Sequence, residues 1–319
     1  MKVKLKRAFL IVGACLAGFY FTSCSSPQST GGSDPKIQGP SPSPNQAFAN
    51  PELVTIQGYA GPAEDPVSSP DGKYLFFDSH TDDSSIPVRL YYATRIDYKT
   101  FVFQGEVLGA NPAPGSTDIS LNGAIDLSNQ FYFTTSMITH TSPSIVSAKF
   151  QNGSIANGVR LTLSPSQPGG FIMQVSISPD GQTLYYSDCG PMNGNGTPSS
   201  SRIAVAAKNA DGSFTKVSNS EQLLAKVNAV GSVLYNAWTT ANGLELFFTV
   251  ADLGQAYFYT IYSASRNSAS DSFSAPVEIK APGNNSESGN LSPDGKHLYY
   301  HEFTGRHGTD PKIYVVTRP

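Results

Sequence analysis

The sequence predicts an all-β fold built from five repeated sheets, and three observations carry that prediction. First, Ser69-Pro70-Asp71-Gly72-Lys73-Tyr74-Leu75-Phe76-Phe77 recurs at residues 178–186 and 292–300, each time as one turn followed by one strand. Shorter or weaker copies fill the same slot at residues 127–133 and 240–248. Second, a β-branched and aromatic segment follows every copy. Third, no long amphipathic helix competes with these strands. Repeats of this period belong to solenoids, propellers or arrays.

The turn comes first in each unit. Pro presets φ, Asp bonds the following amides, and the next position needs φ > 0, which Gly and Asn tolerate. That position holds Gly72, Asn129, Gly181, Gly243 and Gly295, at intervals of 57, 52, 62 and 52 residues. Each interval leaves room for about four short strands. The SPDG residues therefore read as structural, with no metal or catalytic role for their aspartates. Leu75, Phe77, Leu184, Tyr186, Leu298 and Tyr300 alternate as a core between sheets requires.

The next element spans residues 90–95, 145–150, 203–208, 261–266 and 313–318, and reads as strand in all five units. A further strand is expected at residues 101–108 and 273–279, but nothing follows the fifth unit. Its counterpart lies at residues 48–54, ahead of the first unit. An N-terminal strand that completes the last sheet closes a ring and shields an open edge. The predicted fold is thus a five-bladed β-propeller closed by an N-terminal velcro strand, over residues 48–319. Residues 218–227 are the one helix-like stretch, with a capping-box pattern at Ser218 and Glu221.

Two segments precede that domain. Residues 1–24 read as an export signal: Lys2, Lys4, Lys6 and Arg7 precede an apolar run too short to span a bilayer. Phe21-Thr22-Ser23-Cys24 resembles the lipobox of bacterial lipoproteins, which makes Cys24 the expected lipidation site and new N-terminus. Cys15 offers a second match but leaves a very short apolar segment. Residues 25–47 are rich in Ser, Pro and Gly and read as a flexible linker. Ser25 after the anchor favours the outer membrane of the cell envelope. Losing the four signal cations leaves 17 basic against 24 acidic residues, a net charge of −7. Such a surface does not suit phosphate backbones, so nucleic acid is not an expected partner. Cys189 then stands alone, so no internal disulfide forms, and the 18 Phe and 16 Tyr of the chain must hold the core by burial.

The SPDG-x-x-L-(Y/F)-(Y/F) unit, with I-Y-x-x-x-R after it, resembles the TolB-type (WD40-like) propeller repeat of bacterial envelope proteins. The resemblance covers residues 48–319 and is strongest in units one, three and five. It implies the propeller fold but not one function, because the repeat serves in TolB, in peptidoglycan-associated lipoproteins and beside peptidase domains. TolB carries a further domain ahead of its propeller, where this chain has a linker. No G-x-S-x-G nucleophile turn occurs, which removes the peptidase reading.

Register supplies the candidate site. Seven residues before each turn position stand Asp65, Asn122, Gln174, Asn236 and Ser288, all polar. On the innermost strands they are expected to ring one mouth of the central channel, holding channel water or a ligand. The first reading is a binding or scaffolding module that docks an envelope protein or lipoprotein near this ring. The alternative is a glycan-binding protein or glycoside hydrolase using the same mouth, with Asp65 and Asp118 or Glu287. Cleavage needs paired carboxyls, for which Glu64, Asp65, Asp118, Asp126 and Glu287 are available, while Gln174 and Asn236 stand where units three and four would want acids. No cofactor or metal is expected. His297 and His301 lie four apart, but on a strand that spacing does not chelate, and His80, His140 and His307 read as ordinary surface or core residues. Asp82 and Asp83 read as a solvated turn, Cys189 as a small buried hydrophobe, and Trp238 as packed between blades.

Overall fold

The computed structural model describes residues 47–79, 88–136, 143–194, 197–252, 258–283, 285–303 and 310–319. The export signal, Cys15, Cys24, the linker up to residue 46, His80, Asp82, Asp83, His140 and His307 lie outside the described residues. The chain is all-β. Four antiparallel hairpin-linked strands make the first sheet: Glu64–Ser68, Tyr74–Asp78, Leu90–Arg95 and Thr100–Glu106, with Thr55–Gln57 added in parallel at its edge. The second sheet runs Ser120–Ile125, Gln130–Thr135, Ser144–Gln151 and Ser154–Arg160. The third runs Phe171–Ile177, Thr183–Cys189, Ser201–Lys208 and Phe214–Lys216. The fourth runs Val233–Thr239, Glu245–Asp252, Phe258–Ser265 and Val277–Glu278, and one parallel pair, Ser201 with Val233, links it to the third.

The fifth sheet is composite. Ser286–Leu291, His297–Glu302 and Lys312–Thr317 are completed by Ala49–Leu53, whose Glu52 pairs with Val315 and whose Leu53 pairs with Tyr314. The expected outer element of the fourth sheet shrinks to Val277–Glu278, because Pro276 removes a ladder donor there. The first strands of successive sheets lie side by side, and that of the fifth lies beside that of the first.

Each sheet packs both faces against neighbours, so the second strands do not alternate between core and solvent. Phe76, Tyr185 and Tyr299 are as buried as the flanking Leu75, Phe77, Leu184, Tyr186, Leu298 and Tyr300. Phe76 meets Phe131 of the next sheet at 5.1 Å between ring centroids, while Trp238 meets Phe247, its ladder partner in the same sheet, at 5.8 Å. Burial of such rings supplies about 2–3 kcal/mol each.

The turns form as the sequence predicts. φ is +69° at Gly72, +61° at Asn129, +70° at Gly181, +67° at Gly243 and +75° at Gly295. The Ser69 hydroxyl donates to Asp71 Oδ1 (2.7 Å), while the amides of Lys73 and Tyr74 donate to Asp71 and Ser69. Ser178 with Asp180 and Ser292 with Asp294 repeat this, and Thr240 with Asn242 does so at 2.7 Å. The second unit keeps the bond with its roles exchanged: Ser128 donates to Asp126 Oδ1 at 2.7 Å. That exchange explains why the unit looks degenerate in sequence yet turns identically.

In the fourth and fifth units the arginine closing the third strand caps the turn. Arg266 Nε donates to Gly243 O and Arg318 Nε to Gly295 O, both at 2.7 Å. Arg318 is also fully buried. It forms a two-point ion pair with Glu245 of the fourth sheet, both bonds 2.9 Å, and lies 4.9 Å from the Phe48 ring centroid. The two ends of the described domain are therefore clasped to the fourth sheet. A short helix, Ser220–Leu223, falls inside the helix-like stretch, but the capping box does not form. Asn219 is the N-cap and makes no side-chain cap bond, while Glu221 pairs with Lys216 at 2.7 Å.

Candidate functional site

The five register positions share one backbone state. φ is +56° at Asp65, +60° at Asn122, +55° at Gln174, +55° at Asn236 and +64° at Ser288. The ladder to the second strand slips at each of them, between Glu64 and Val67, Leu121 and Ala124, Met173 and Val175, Tyr235 and Trp238, and Glu287 and Asn290. Each is thus a β-bulge that turns one side chain out of the ladder. A left-handed conformation costs about 1–2 kcal/mol for a residue with a Cβ, so five non-glycine residues adopt it only because tertiary bonds hold them.

Asn122 Nδ2 donates to Asp65 Oδ2 (3.3 Å), the Ser288 hydroxyl donates to Asp65 Oδ1, and Asn236 Nδ2 donates to Ser288 Oγ (2.7 Å). The structure thus brings the predicted ring residues together, and all are 2% exposed or less.

A second column supports the first, and sequence reasoning missed it. Asp78, Thr134, Ser187, Thr249 and His301 occupy equivalent places on the second strands. The bulge amide of Asn122 donates to Asp78 Oδ2 and that of Gln174 to Thr134 Oγ1, each at 3.0 Å. The amide of Ser288 donates to Thr249 Oγ1 (3.1 Å), and that of Asp65 to His301 Nδ1 (3.0 Å). At the remaining junction Ser187 donates to Gln174 Oε1, which accepts the Asn236 amide at 3.4 Å. Each sheet holds the bulge of the next, and the series returns from the fifth sheet to the first. The signal was available: five polar residues at one register, each directly after the aromatic or apolar run of its strand.

Acidity gathers on one side of the ring. Glu64, Asp65 and Asp78 of the first sheet meet Glu287 and His301 of the fifth, all buried. His301 Nε2 lies 3.1 Å from Glu287 Oε1, and Nδ1 lies 3.4 Å from Asp65 Oδ1. Burial pushes all four carboxyls well above the usual carboxylate range. Asp78 adds to the rise at Glu64, Asp78, Glu287 and Glu64 add to it at Asp65, and Glu64 adds to it at Glu287. The Ser288 hydroxyl and the Asn122 amide oppose it at Asp65 and Asp78. Among the described residues these buried atoms have no hydrogen-bond partner: Asp78 Oδ1, Glu287 Oε2, Asn122 Oδ1, Asn236 Oδ1 and Gln174 Nε2. Buried polar atoms left open in this way are satisfied by water or ligand.

The other candidate acids are elsewhere. Asp126 belongs to the second turn, and Asp118, half-buried, bonds Ser116 and Ser136. His297 stacks on Tyr98 at 4.5 Å, apart from His301 in role. Cys189 is buried among apolar side chains, its thiol pushed up to about 12 by desolvation. Among the described residues no trio of His, Cys, Asp and Glu is arranged to hold a metal ion.

No protein-family model and no curated protein matches the chain. Solved structures do. An exo-β-1,3-galactanase from Clostridium thermocellum overlaps 84% of this chain and 62% of its own, at TM-score 0.53 and 12% identity. A putative exo-β-1,3-galactanase from Bifidobacterium bifidum s17 overlaps 85% of this chain and 92% of its own, at 0.52 and 11%. TolB from Acinetobacter baumannii overlaps 81% of this chain, at 0.43 and 15%. This chain spans only 55% of that TolB chain. The neighbours are propeller folds. The shared feature is the all-β propeller-type architecture, at identities that speak for fold alone.

Proposed function

We propose that this chain is an envelope lipoprotein, anchored through Cys24, whose five sheets close as a five-bladed propeller and whose acidic axial end binds a glycan. Closure is supported by the pairing of Ala49–Leu53 with Lys312–Thr317 and by the bulge-amide bonds that return from His301 to Asp65. One observation carries the glycan reading: the unsatisfied polar atoms of Asn122, Gln174, Asn236, Asp78 and Glu287 form a mixed set of four acceptors and one donor. Sugar hydroxyls, each donor and acceptor at once, match such a set. Amides and carboxyls held in place by their other polar atoms are the usual makings of an oriented polar site.

The alternative is docking of an envelope protein or lipoprotein. Asp65, Asn122, Gln174, Asn236 and Ser288 are buried, so either ligand reaches them only if this end of the molecule opens to admit it, and a folded partner would also cover the residues surrounding the ring. Retention on immobilised polysaccharides separates the two. The glycan reading expects retention that Asn122→Ala and Gln174→Ala abolish while the fold persists. In-cell crosslinking that captures one discrete protein, with no polysaccharide retained, would replace it by docking.

A further inference from the structure

The residue before each bulge divides the ring. Glu64 and Glu287 stand there in the first and fifth sheets, while Leu121, Met173 and Tyr235 stand there in the second, third and fourth, and all five are buried. Met173 and Tyr235 belong to an apolar cluster that includes Tyr259 and that Phe303 packs against. Phe303 also reaches the acidic side. Its ring meets the His301 imidazole edge-on, at 4.8 Å between centroids and 87° between planes, and lies 5.6 Å from the Tyr259 ring of the fourth sheet. His301 in turn accepts the Asp65 amide and meets Glu287.

Phe303 is held differently from the groups it touches. Asp65, Glu287, His301 and Tyr259 are buried, whereas Phe303 keeps part of its surface in solvent. It directly follows the strand His297–Glu302, where the pairing of Glu302 with Ser286 is the last rung of the ladder. Its backbone bonds are long. Phe303 N donates to Asn285 O at 3.4 Å and Asn285 Nδ2 donates to Phe303 O at 3.5 Å, against about 2.7–3.2 Å for a normal N–H···O bond. Contact between rings therefore does most of the holding, and such contacts are individually modest. Segments fixed in this way open at lower free energy than the sheets they adjoin.

Resting on the reading above that a ligand enters at this end, we propose that Phe303 is its gate: the ring closes over His301, and its displacement uncovers the imidazole and the acids that imidazole contacts. Displacement breaks no ladder bond, because the ladders on both sides of the strand end at Glu302. The phenyl ring then stands beside fixed polar groups, and an aromatic surface with a few such groups is the usual composition of a small-molecule site. One side chain thus serves as cover in the closed form and as lining in the open one.

Diethyl pyrocarbonate, which acylates neutral imidazole, tests this on the full chain without any ligand, the modified histidines being located by peptide mass spectrometry. His297 is the internal standard, since it lies at the other end of the same strand, stacked on Tyr98 at 4.5 Å. Phe303→Ala should speed acylation of His301 about five- to tenfold and leave that of His297 unchanged. An unchanged His301 rate, or an equal rise at both histidines, overturns the gate. Phe303→Trp enlarges the cover and should slow His301 below the parent chain; if Phe303→Ala does not fold, a His301 rate that Phe303→Trp leaves unchanged overturns the gate instead. The glycan reading fails separately: faster His301 acylation in Phe303→Ala, with no polysaccharide retained by the parent chain, keeps the gate and rejects the glycan.

Discussion

Every unit contains two left-handed residues seven positions apart, one at the turn and one at the bulge, and the two sites solve the same backbone problem differently. At the turn the position is filled by Gly or Asn, which adopt φ > 0 at little cost, and the bonds that hold it come from two residues of the same loop. At the bulge it is filled by Asp, Asn, Gln, Asn and Ser, and the holding groups come from neighbouring sheets. The turn is local and cheap; the bulge is strained and collective. Where a fold accepts Gln174 or Ser288 in a conformation glycine would take for less, the side chain is needed for what it touches. This is the physical reason to place the candidate site at the bulges and not at the more conspicuous SPDG turns.

The largest effect is expected at the one turn region that does depend on other sheets. Arg318→Ala strands Glu245 in the core and removes the cation from Phe48, and should cost about 3–5 kcal/mol in denaturant unfolding. A loss below about 1 kcal/mol would mean that the termini are not clasped. Next comes Asp65→Ala, which removes the acceptor for both Asn122 and Ser288 and should cost about 2–3 kcal/mol. Ser178→Ala, which deletes only a loop-local bond in a turn, should cost about 1 kcal/mol by the same measurement. If the two costs were equal, the contrast between collective bulge and local turn would fail.

The smallest effect is a pH dependence confined to the bulge side. Glu64, Asp65, Asp78 and Glu287 hold protons more tightly folded than unfolded. Their contribution is fully present below the unfolded carboxyl range, near pH 4, and is lost as pH rises through the raised folded values. Melting temperatures of Glu287→Gln should therefore decline less than those of the parent chain as pH rises from about 4 toward neutrality. Parallel curves would contradict the buried, proton-holding cluster.

The turns, the third strands and the terminal strand were legible because each writes its chemistry into adjacent residues: Pro-Asp-Gly for a turn, Ile-Tyr for a strand, Phe48 ahead of a register that lacked its last member. The ring positions were legible by spacing, but not their φ, because nothing local in Gln174 or Ser288 asks for a left-handed backbone. Asp78 and His301 were missed for a related reason: each serves a bulge in the following sheet, with Asn122 lying 44 residues beyond Asp78 and Asp65 lying 236 residues before His301. The capping box failed because Asn219 took the N-cap and Lys216 claimed Glu221. Burial on both faces of the second strands escaped the alternation pattern, since stacked sheets leave no outward side.

A double-mutant cycle between Asp65 and Ser288 tests most directly whether the bulges form one ring across the first and fifth sheets. The residues are 223 positions apart and meet only if the chain ends are brought together around the axis. A coupling energy of about 1–3 kcal/mol is expected between Asp65→Ala and Ser288→Ala in denaturant unfolding. Additive losses, within about 0.5 kcal/mol, would contradict it.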